Sequence, residues 1–301
     1  MVKTSREVQR AVDPSPGKGM KTIDLAILCA TPREIAPLSI LRPLVGAKLA
    51  GNEFWLGTYR GFELLIGTTG VGKVNAAAIS AAALSRFSVG EVWNVGCAGG
   101  YCGSGLEIGD VLVAESCICG DEGILGEEGP TPISGLEIPL VVKDGQPFYD
   151  CFPLGDFLSR RHVRNLLPAG MYAPGPSGSI RRHNPGTGQP ESIAPGSERK
   201  KQRGFRVQYG PSLTVGMVSG DIPTADVRFR RYHALAENME GSAIAQTCLL
   251  FDDPFLEFRG ISNMAGVRDK ARWDLDAAVQ HCLAAVRYLL DKIIRNKDSG
   301  N

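Results

Sequence analysis

Short apolar runs alternate with helical segments along the sequence, and this alternation carries most of the information about the fold. TIDLAILC at 22–29 is short and apolar and is followed by the turn-prone ATP, so it predicts a buried strand and a helix from near Pro32. EFWLGTYRGFELLIGTT predicts a hairpin with its turn near Arg60 and Gly61. Further strands are predicted for GEVWNVG, DVLVAESC, FRVQY, SLTVGMVSG and FLEFRGIS.

The predicted helices lie between these strands. VGKVNAAAISAAALSRF is rich in alanine and can pack closely on a sheet, LGDFLSRRHVRNLL is amphipathic, and EGSAIAQTCLLF predicts a helix from about Glu240. Because strands and helices alternate, we expect an α/β fold: a central mixed β-sheet with helices on both faces, in three α/β/α layers. The last predicted helix has one apolar face, formed by Leu275, Val279, Cys282, Leu283, Val286, Leu289, Leu290 and Ile293.

Two segments differ in composition from the rest of the chain. Residues 1–21 are polar and hold five Lys or Arg against two acidic residues, which predicts a disordered basic tail. In residues 168–204, 13 of 37 positions are Gly or Pro. Such a segment buries too little apolar surface to offset its ordering entropy, so we expect a low-complexity insertion. The remainder of 22–301 is predicted to be a single domain.

Composition narrows the classes of partner. The chain has 33 basic and 32 acidic residues, so no overall positive field points to nucleic acid or to a membrane surface. No run of 18 apolar residues occurs, and the first residues lack the apolar core of a signal peptide. Cys117 and Cys119 are too close for paired zinc ligands, and most of the eight cysteines lie in apolar runs. We therefore expect a cytoplasmic protein with reduced thiols and no metal site.

Five polar or glycine-rich motifs follow predicted strands, where ligands bind in open α/β sheets. Each also has an ordinary structural interpretation. Glu34 and Glu240 lie in or next to the first turn of a helix, where a carboxylate complements the helix dipole, and Asn263 could simply cap a turn. The glycines could only form tight turns or bulges. The motifs are CATPREI, GTTGVGKV, NVGCAGGYCGSG, NMEGSAIAQ and RGISNMAGVRDKARWD.

The segment GTTGVGKV at 67–74 nearly matches the phosphate-binding loop GxxxxGK[ST] between a strand and a helix. Val74, however, stands where a Ser or Thr hydroxyl must bind Mg²⁺, and no later strand ends in a clear Mg²⁺-binding Asp motif. A P-loop-like nucleotide binder therefore stays as an alternative of a different class. The turn glycines still allow backbone amides to face an anion or a sugar hydroxyl.

In their order and spacing, these five motifs resemble the nucleoside phosphorylase and nucleosidase superfamily, from about Ile23 to Ile294. The resemblance is strongest to methylthioadenosine/S-adenosylhomocysteine nucleosidases and to futalosine hydrolases. It implies a nucleoside phosphorylase-like fold, hydrolysis of an N-ribosidic bond by water, no metal or organic cofactor, and a homo-oligomer of two or more chains. The implied partners are a small nucleoside substrate and water.

The resemblance also implies roles for individual residues. Glu34 matches the carboxylate that activates water, and cleavage through an oxocarbenium-like sugar needs such a base. Glu240 matches the ribose hydroxyl acceptor, and Met239 the apolar surface against the sugar. Further substrate contacts are expected at Ser262 and at Cys97, Ala98 and Gly99, the last two through backbone atoms.

Asn263 departs from the adenine-specific nucleosidases, which carry Asp at this position. A carboxylate beside a 6-oxo group would place two acceptors together, whereas a carboxamide donates to O6 and accepts from protonated N7. Asn263 therefore favours hypoxanthine, the base of futalosine. Arg268 and Trp273 are candidates for binding the aromatic carboxylate of futalosine, although a structural or interface role is the more ordinary interpretation.

We therefore expect a futalosine hydrolase-like N-glycosyl hydrolase that serves menaquinone biosynthesis. A methylthioadenosine/S-adenosylhomocysteine nucleosidase and a purine nucleoside phosphorylase are the alternatives within the superfamily, and a binding module without catalysis is a further one. The phosphorylase would need a basic phosphate pocket, which the sequence does not locate.

Overall fold

The fold is described by a computed structural model, which covers residues 20–35, 45–127, 129–170, 172–173 and 205–298. Most of the predicted tail at 1–21 lies outside these residues, although Lys21 already belongs to the first strand. Most of the predicted insertion at 168–204 also lies outside them. Its residues Tyr172–Ala173 form a short strand that pairs with Phe205 and Arg206.

Seventeen strands are present in the described residues. They are β1 (Lys21–Ile23), β2 (Leu25–Cys29), β3 (Val45–Leu49), β4 (Asn52–Tyr59), β5 (Phe62–Thr68), β6 (Phe87–Val89), β7 (Val92–Gly100), β8 (Val111–Cys119), β9 (Gly123–Gly126), β10 (Gly129–Pro132), β11 (Val141–Lys143), β12 (Gln146–Phe148), β13 (Cys151–Pro153), β14 (Tyr172–Ala173), β15 (Phe205–Thr214), β16 (Ala236–Asn238) and β17 (Phe255–Met264).

The same residues contain seven α-helices and two short 3-10 helices. The α-helices are α1 (Pro32–Ile35), α2 (Lys73–Arg86), α3 (Gly155–Arg160), α4 (Val163–Leu166), α5 (Ile222–Tyr232), α6 (Gly241–Phe251) and α7 (Leu275–Asp298). The 3-10 helices are Ile133–Leu136 and Lys270–Arg272. In the described part of the chain, no helix is both long and apolar enough to cross a membrane.

The main sheet has eleven strands, with the order β13-β8-β15-β16-β7-β2-β5-β4-β3 along its path. Its strands pair in both directions: β2 is parallel to β5 and β7, whereas β4 is antiparallel to β5. β17 pairs in parallel with β7 and antiparallel with β8. Because β15 and β16 also connect β8 to β7, the strands β7, β8, β15, β16 and β17 close into a ring. We call the open end of this ring at the carboxyl ends of β7 and β17 its mouth.

Helices pack on both faces of the sheet, which confirms the predicted three-layer α/β/α fold with a mixed sheet. On one face, Leu283, Val286 and Leu289 of α7 pack with a core that includes Ile27 and Trp93. The opposite face carries α2 and α6, and its core includes Ile79, Ala83 and Ile244 together with Leu28 and Leu65.

The predicted hairpin is confirmed, because β4 ends at Tyr59 and β5 begins at Phe62. Two element predictions were wrong. The single helix predicted for 154–167 is two short helices, because His162 has a left-handed φ of 50° that no continuous α-helix accommodates. The strand predicted for 212–220 ends at Thr214, and it continues β15 directly from the FRVQY segment.

Candidate active site

The predicted site residues come from four separate segments, and the ends of neighbouring strands bring them together. Glu34 lies on α1, just after β2, and Cys97 lies near the end of the adjacent β7. Asn263 is the last residue but one of β17, where it is paired with Gly99 of β7. Glu240 follows β16, which pairs with the same end of β7. The order of the strands therefore places all four segments at one mouth of the ring.

The carboxylate of Glu34 is held at both oxygens. Oε2 accepts from the backbone N–H of Thr31 at 2.8 Å and from its hydroxyl at 3.1 Å. Oε1 accepts from the backbone N–H of Cys97 at 3.1 Å. The side chain remains partly exposed, so the carboxylate has a fixed orientation and is also accessible.

The absence of a side chain at Gly96 leaves room for the side chains of Glu34 and Arg259. A Cβ at this position would lie 2.6 Å from Nη1 of Arg259 and 2.6 Å from Oε1 of Glu34. The guanidinium and the carboxylate therefore approach the same point above the backbone of β7. Any side chain at Gly96 would have to displace one or both of them.

Glu240 is buried, with 5% of its surface exposed, and it has two partners. Oε1 accepts from the backbone N–H of Gly72 at 3.0 Å, and Oε2 lies 3.6 Å from Nη1 of Arg259. Burial raises the pKa of the Glu240 carboxyl above its ordinary value, whereas Arg259 and the Gly72 amide lower it. Met239, beside it in the chain, is partly exposed.

Arg259 is the central residue that sequence reasoning missed. Its side chain is 1% exposed, and Nη2 donates to Glu257 at 3.0 Å and to Oδ1 of Asn238 at 3.3 Å. Burial opposes the charge of Arg259, but Glu257 and Glu240 outweigh it and raise the arginine pKa. A signal was present in the sequence, because FLEFRGIS places two charged residues inside an otherwise apolar buried strand.

The amide of Asn263 is oriented by its neighbours. Oδ1 accepts from the hydroxyl of Ser262 at 2.8 Å, and Nδ2 donates to the carbonyl oxygen of Met264 at 3.1 Å. One N–H and one oxygen lone pair of the amide remain for a ligand. Asn263 is partly exposed, whereas Ser262 is buried.

The predicted contacts of β7 lie directly beside this amide. The hydroxyl of Ser262 is 3.2 Å from the carbonyl oxygen of Ala98, and a Cβ on Gly99 would lie 3.4 Å from Nδ2 of Asn263. Burial raises the pKa of the Cys97 thiol, and the charge of Glu34 raises it further, so this thiol stays neutral. The structure therefore brings Glu34, Cys97, Ala98, Gly99, Glu240, Ser262 and Asn263 into one region.

Arg268 and Trp273 lie together on the segment that follows β17. The guanidinium carbon of Arg268 is 5.0 Å from the centre of the Trp273 ring, a cation–π contact. The next residue, Asp274, donates its N–H to the carbonyl oxygen of Ser262 at 2.8 Å. Arg33, the neighbour of Glu34, pairs with Asp276 at 2.8 Å. The chain that follows β17 is therefore attached at two places, through Asp274 to the neighbour of Asn263 and through Asp276 to the neighbour of Glu34.

Lys73 is not arranged as a P-loop lysine. Its ammonium lies 2.6 Å from Asp121 and 2.9 Å from Glu122, so two carboxylates already neutralise it. Val74, at the Mg²⁺-binding position of the motif, has 83% of its surface exposed. The GVGK turn instead presents Gly72 to Glu240 and begins α2. Among the described residues, no group of three His, Cys, Asp or Glu could hold a metal ion.

Residues 24–295 match a known protein family, the phosphorylase superfamily. The chain belongs to this superfamily. It is 31% identical over 245 residues to the futalosine hydrolase of Thermus thermophilus, which covers 80% of this chain and 89% of that protein. It is 28% identical over 250 residues to the 5'-methylthioadenosine/S-adenosylhomocysteine nucleosidase of Mycobacterium bovis, covering 81% and 87%. The prediction of an N-glycosyl hydrolase is thereby confirmed.

Solved structures of the superfamily share this fold. The 5'-methylthioadenosine/S-adenosylhomocysteine nucleosidase of Colwellia psychrerythraea, in complex with adenine, aligns with a TM-score of 0.66 at 22% identity and covers 91% of this chain and 97% of its own. The futalosine hydrolase of Helicobacter pylori aligns with a TM-score of 0.66 at 19% identity, covering 90% and 98%. At these identities the structures support the fold and do not identify the substrate.

Proposed function

We propose that the chain hydrolyses the N-ribosidic bond of a 6-oxopurine nucleoside, and that futalosine is the substrate, with hypoxanthine and dehypoxanthine futalosine as products. One observation carries this proposal: a carboxamide, Asn263, lies at the end of β17 next to the stretch of β7 near which Arg259, Glu34 and Glu240 also lie. The futalosine hydrolase of Thermus thermophilus, at 31% identity, supports the same substrate. Hydrolysis of futalosine would place the chain in menaquinone biosynthesis, as the resemblance to futalosine hydrolases implies.

In this proposal Glu34 positions and activates a water molecule for attack on the anomeric carbon. Its carboxylate suits the role because three hydrogen bonds from Thr31 and Cys97 fix its orientation while one side stays accessible. A base held at the required geometry contributes about 10²- to 10⁴-fold to rate.

Glu240 accepts hydrogen bonds from the ribose hydroxyls, and Met239 packs against the sugar. The Gly72 amide and Arg259 hold the Glu240 carboxylate, so little reorganisation is needed when the sugar gains positive charge. The negative charges of Glu240 and Glu34 favour the oxocarbenium-like transition state over the neutral substrate.

Asn263 recognises the departing base. Its free N–H donates to O6, and its free lone pair accepts from protonated N7, which stabilises hypoxanthine as it leaves. The Met264 carbonyl fixes this orientation, since a carbonyl oxygen can accept only from the N–H end of the amide, and the Ser262 hydroxyl donates to the other end. A 6-amino group would instead place a donor against a donor.

Arg268 and Trp273 supply a cation over a flat ring at the edge of the same site. A carboxylate attached to an arene fits this pair, because the guanidinium binds the anion while the ring offers a stacking face. We assign the pair to the far end of futalosine. No ion-pair partner for Arg268 is found among the described residues.

The proposal is tested by incubating the purified chain with futalosine and, separately, with methylthioadenosine, and by identifying the released base chromatographically. Hypoxanthine released from futalosine without added phosphate is the expected result. Release of adenine alone would make the chain a methylthioadenosine nucleosidase, and a requirement for phosphate would make it a phosphorylase. ATP or GTP turnover that depends on Mg²⁺ and Lys73 would indicate a P-loop enzyme instead.

We also propose that the chain functions as a homo-oligomer. Val74 and Met217 expose 83% and 78% of their surfaces and lie next to two residues, Lys73 and Gly216, that both bind Asp121. Burying such side chains against a second copy would remove apolar surface from water. Light scattering should give a mass of at least two chains of 32.2 kDa, and a monomer at assay concentration would contradict this.

A further inference from the structure

A buried polar cluster underlies the site, and the proposed reaction leaves one of its charged members without a role. We call Asn94, Asn238, Glu257 and Arg259 the arginine cluster. Glu257 is 0% exposed and is the third residue of β17. Its Oε2 accepts from Asn94 at 2.8 Å and from Arg259 at 3.0 Å, and its Oε1 accepts from Asn238 at 3.3 Å.

A buried ion pair is a weak source of folding stability. Replacing a buried ion pair by apolar residues is often neutral or stabilising, because burial of two charges is costly. Within the described residues, the buried side-chain atoms that lack a hydrogen-bond partner are Oδ1 of Asn94 and Nε of Arg259, and both belong to the cluster. Unpaired buried polar atoms are rare in folded proteins, and two of them in one cluster call for an explanation.

The cluster acts on the site through two contacts. Because Glu257 and Asn238 bind Nη2 of Arg259, the other nitrogen, Nη1, faces Glu240 and the point above Gly96. Oδ1 of Asn238 also accepts from the backbone N–H of Glu240 at 2.9 Å and of Gly241 at 2.8 Å, which fixes the start of α6.

The packing around Glu257 is close. A Cβ on Gly241 would lie 2.1 Å from Oε2 of Glu257, so the absence of a side chain at Gly241 makes room for the carboxylate.

The formal charges explain why a carboxylate is present here. Arg259 pairs with Glu240 and lies near Glu34 above Gly96, but its positive charge would oppose an oxocarbenium-like sugar. Glu257 offsets that charge, so that Glu34 and Glu240 act on the sugar with their negative charge undiminished. We propose that Glu257 is a positioning residue, which holds Arg259 and keeps the site anionic toward the cationic transition state. The inference rests on the proposed hydrolysis.

The test compares Glu257→Gln with Glu91→Gln. In Glu257→Gln, the amide oxygen can still accept from Arg259 and Asn94, so the charge is removed while these two hydrogen bonds persist; only the bond from Asn238 to Oε1 is lost. Glu91 is a suitable control because it is also buried, at 5% exposed, and accepts a hydrogen bond from Trp93 at the opposite end of β7. Hydrolysis of futalosine, thermal melting and ligand binding are measured for both variants.

For Glu257→Gln we expect kcat to fall about 10- to 100-fold, as for loss of one unit charge at an effective dielectric of about 20, with KM within about threefold. Glu91→Gln should lower the melting temperature and leave kcat unchanged. The binding probes are a protonated iminoribitol nucleoside analogue with a hypoxanthine-like base and its neutral ribose counterpart. Glu257→Gln should weaken binding of the cationic probe at least tenfold more than binding of the neutral one.

The outcomes separate the two proposals. If the wild-type chain cleaves no 6-oxopurine nucleoside and binds neither probe, the proposed function fails. If the wild-type chain is active, but folded Glu257→Gln keeps the wild-type kcat and the wild-type ratio of probe affinities, only the role of Glu257 is overturned. A variant that melts below the assay temperature is replaced by Asn238→Ser, which weakens the hold on Arg259. For that variant, an unchanged kcat would likewise overturn the inference.

Discussion

Replacing Asn263 by Asp should move the base preference from 6-oxopurine to 6-aminopurine. In the variant, one carboxylate oxygen takes the place of Oδ1 and still accepts from the hydroxyl of Ser262, which lies 2.8 Å from Oδ1 in the present structure. The other replaces Nδ2, only 3.1 Å from the carbonyl oxygen of Met264, with no hydrogen between the two acceptors. The donor to O6 is lost at the same time.

The magnitude follows from the groups left unpaired. Leaving O6 without its donor costs about 1–3 kcal/mol, the usual cost of an unsatisfied buried group. A loss of about 1–3 kcal/mol corresponds to roughly 5- to 150-fold in kcat/KM for futalosine. The 6-amino counterpart gains an acceptor for its amino group, so the ratio of the two kcat/KM values should change by more than a hundredfold.

The assay uses futalosine and its 6-amino counterpart, which differ only at the atom that Asn263 is expected to recognise. Released hypoxanthine and adenine are quantified at low substrate, where the rate reports kcat/KM. Ser262→Ala is the control, since it removes the hydroxyl beside Oδ1 without changing the amide, and it should lower both rates by similar factors. A ratio for Asn263→Asp within threefold of the wild-type ratio would refute this account of specificity.

Three further changes test other parts of the site and the fold. Glu34→Gln should lower kcat for futalosine by about 10²- to 10⁴-fold with little change in KM, and full hydrolysis by this variant would contradict water activation. Arg268→Gln should raise KM for futalosine about tenfold and leave inosine unaffected, because inosine lacks the aromatic carboxylate; Arg272→Gln, on the same segment, should change neither. Burial raises the pKa of Asp253 to about 6, with a further contribution from Asp252. Ionisation of this group above that pH therefore lowers the free energy of unfolding. Asp253→Asn should therefore stabilise the fold at pH 8 by about 1 kcal/mol, a value reduced for solvent screening, and the gain should vanish below about pH 4; melting curves at the two pH values check both the size and the sign.

Much of the fold could be predicted because its signals are local. The turn at Arg60 and Gly61, the alanine-rich α2 and the apolar face of α7 are all readable from neighbouring residues, and the structure has them. The helix α5 (Ile222–Tyr232) was missed because its residues are largely polar. Its start was nevertheless signalled by Asp221, whose side chain accepts from the N–H of Thr224 at 2.7 Å.

Individual residues of the site could be predicted from the sequence, but the contacts between them could not. Glu34, Glu240 and Asn263 stand beside glycines and strand ends, and such positions attract attention in a sequence. Arg259 was missed because its role depends on long-range pairing: β17 must lie next to β7 before the guanidinium can pair with Glu240 and lie near Glu34. Residues 257 and 259 point to the same face of a strand, which local periodicity does show, but their partners come from elsewhere in the chain.

The close fit between Gly241 and Glu257 has an evolutionary consequence. Since a methyl group at position 241 would overlap the carboxylate, the two positions cannot vary independently. Members of the superfamily with alanine or serine after the Met-Glu pair should carry a shorter side chain at the position of Glu257, and those with glutamate there should keep glycine. Inspection of these two positions would therefore divide uncharacterised sequences of the superfamily into two groups before any of the proteins is expressed.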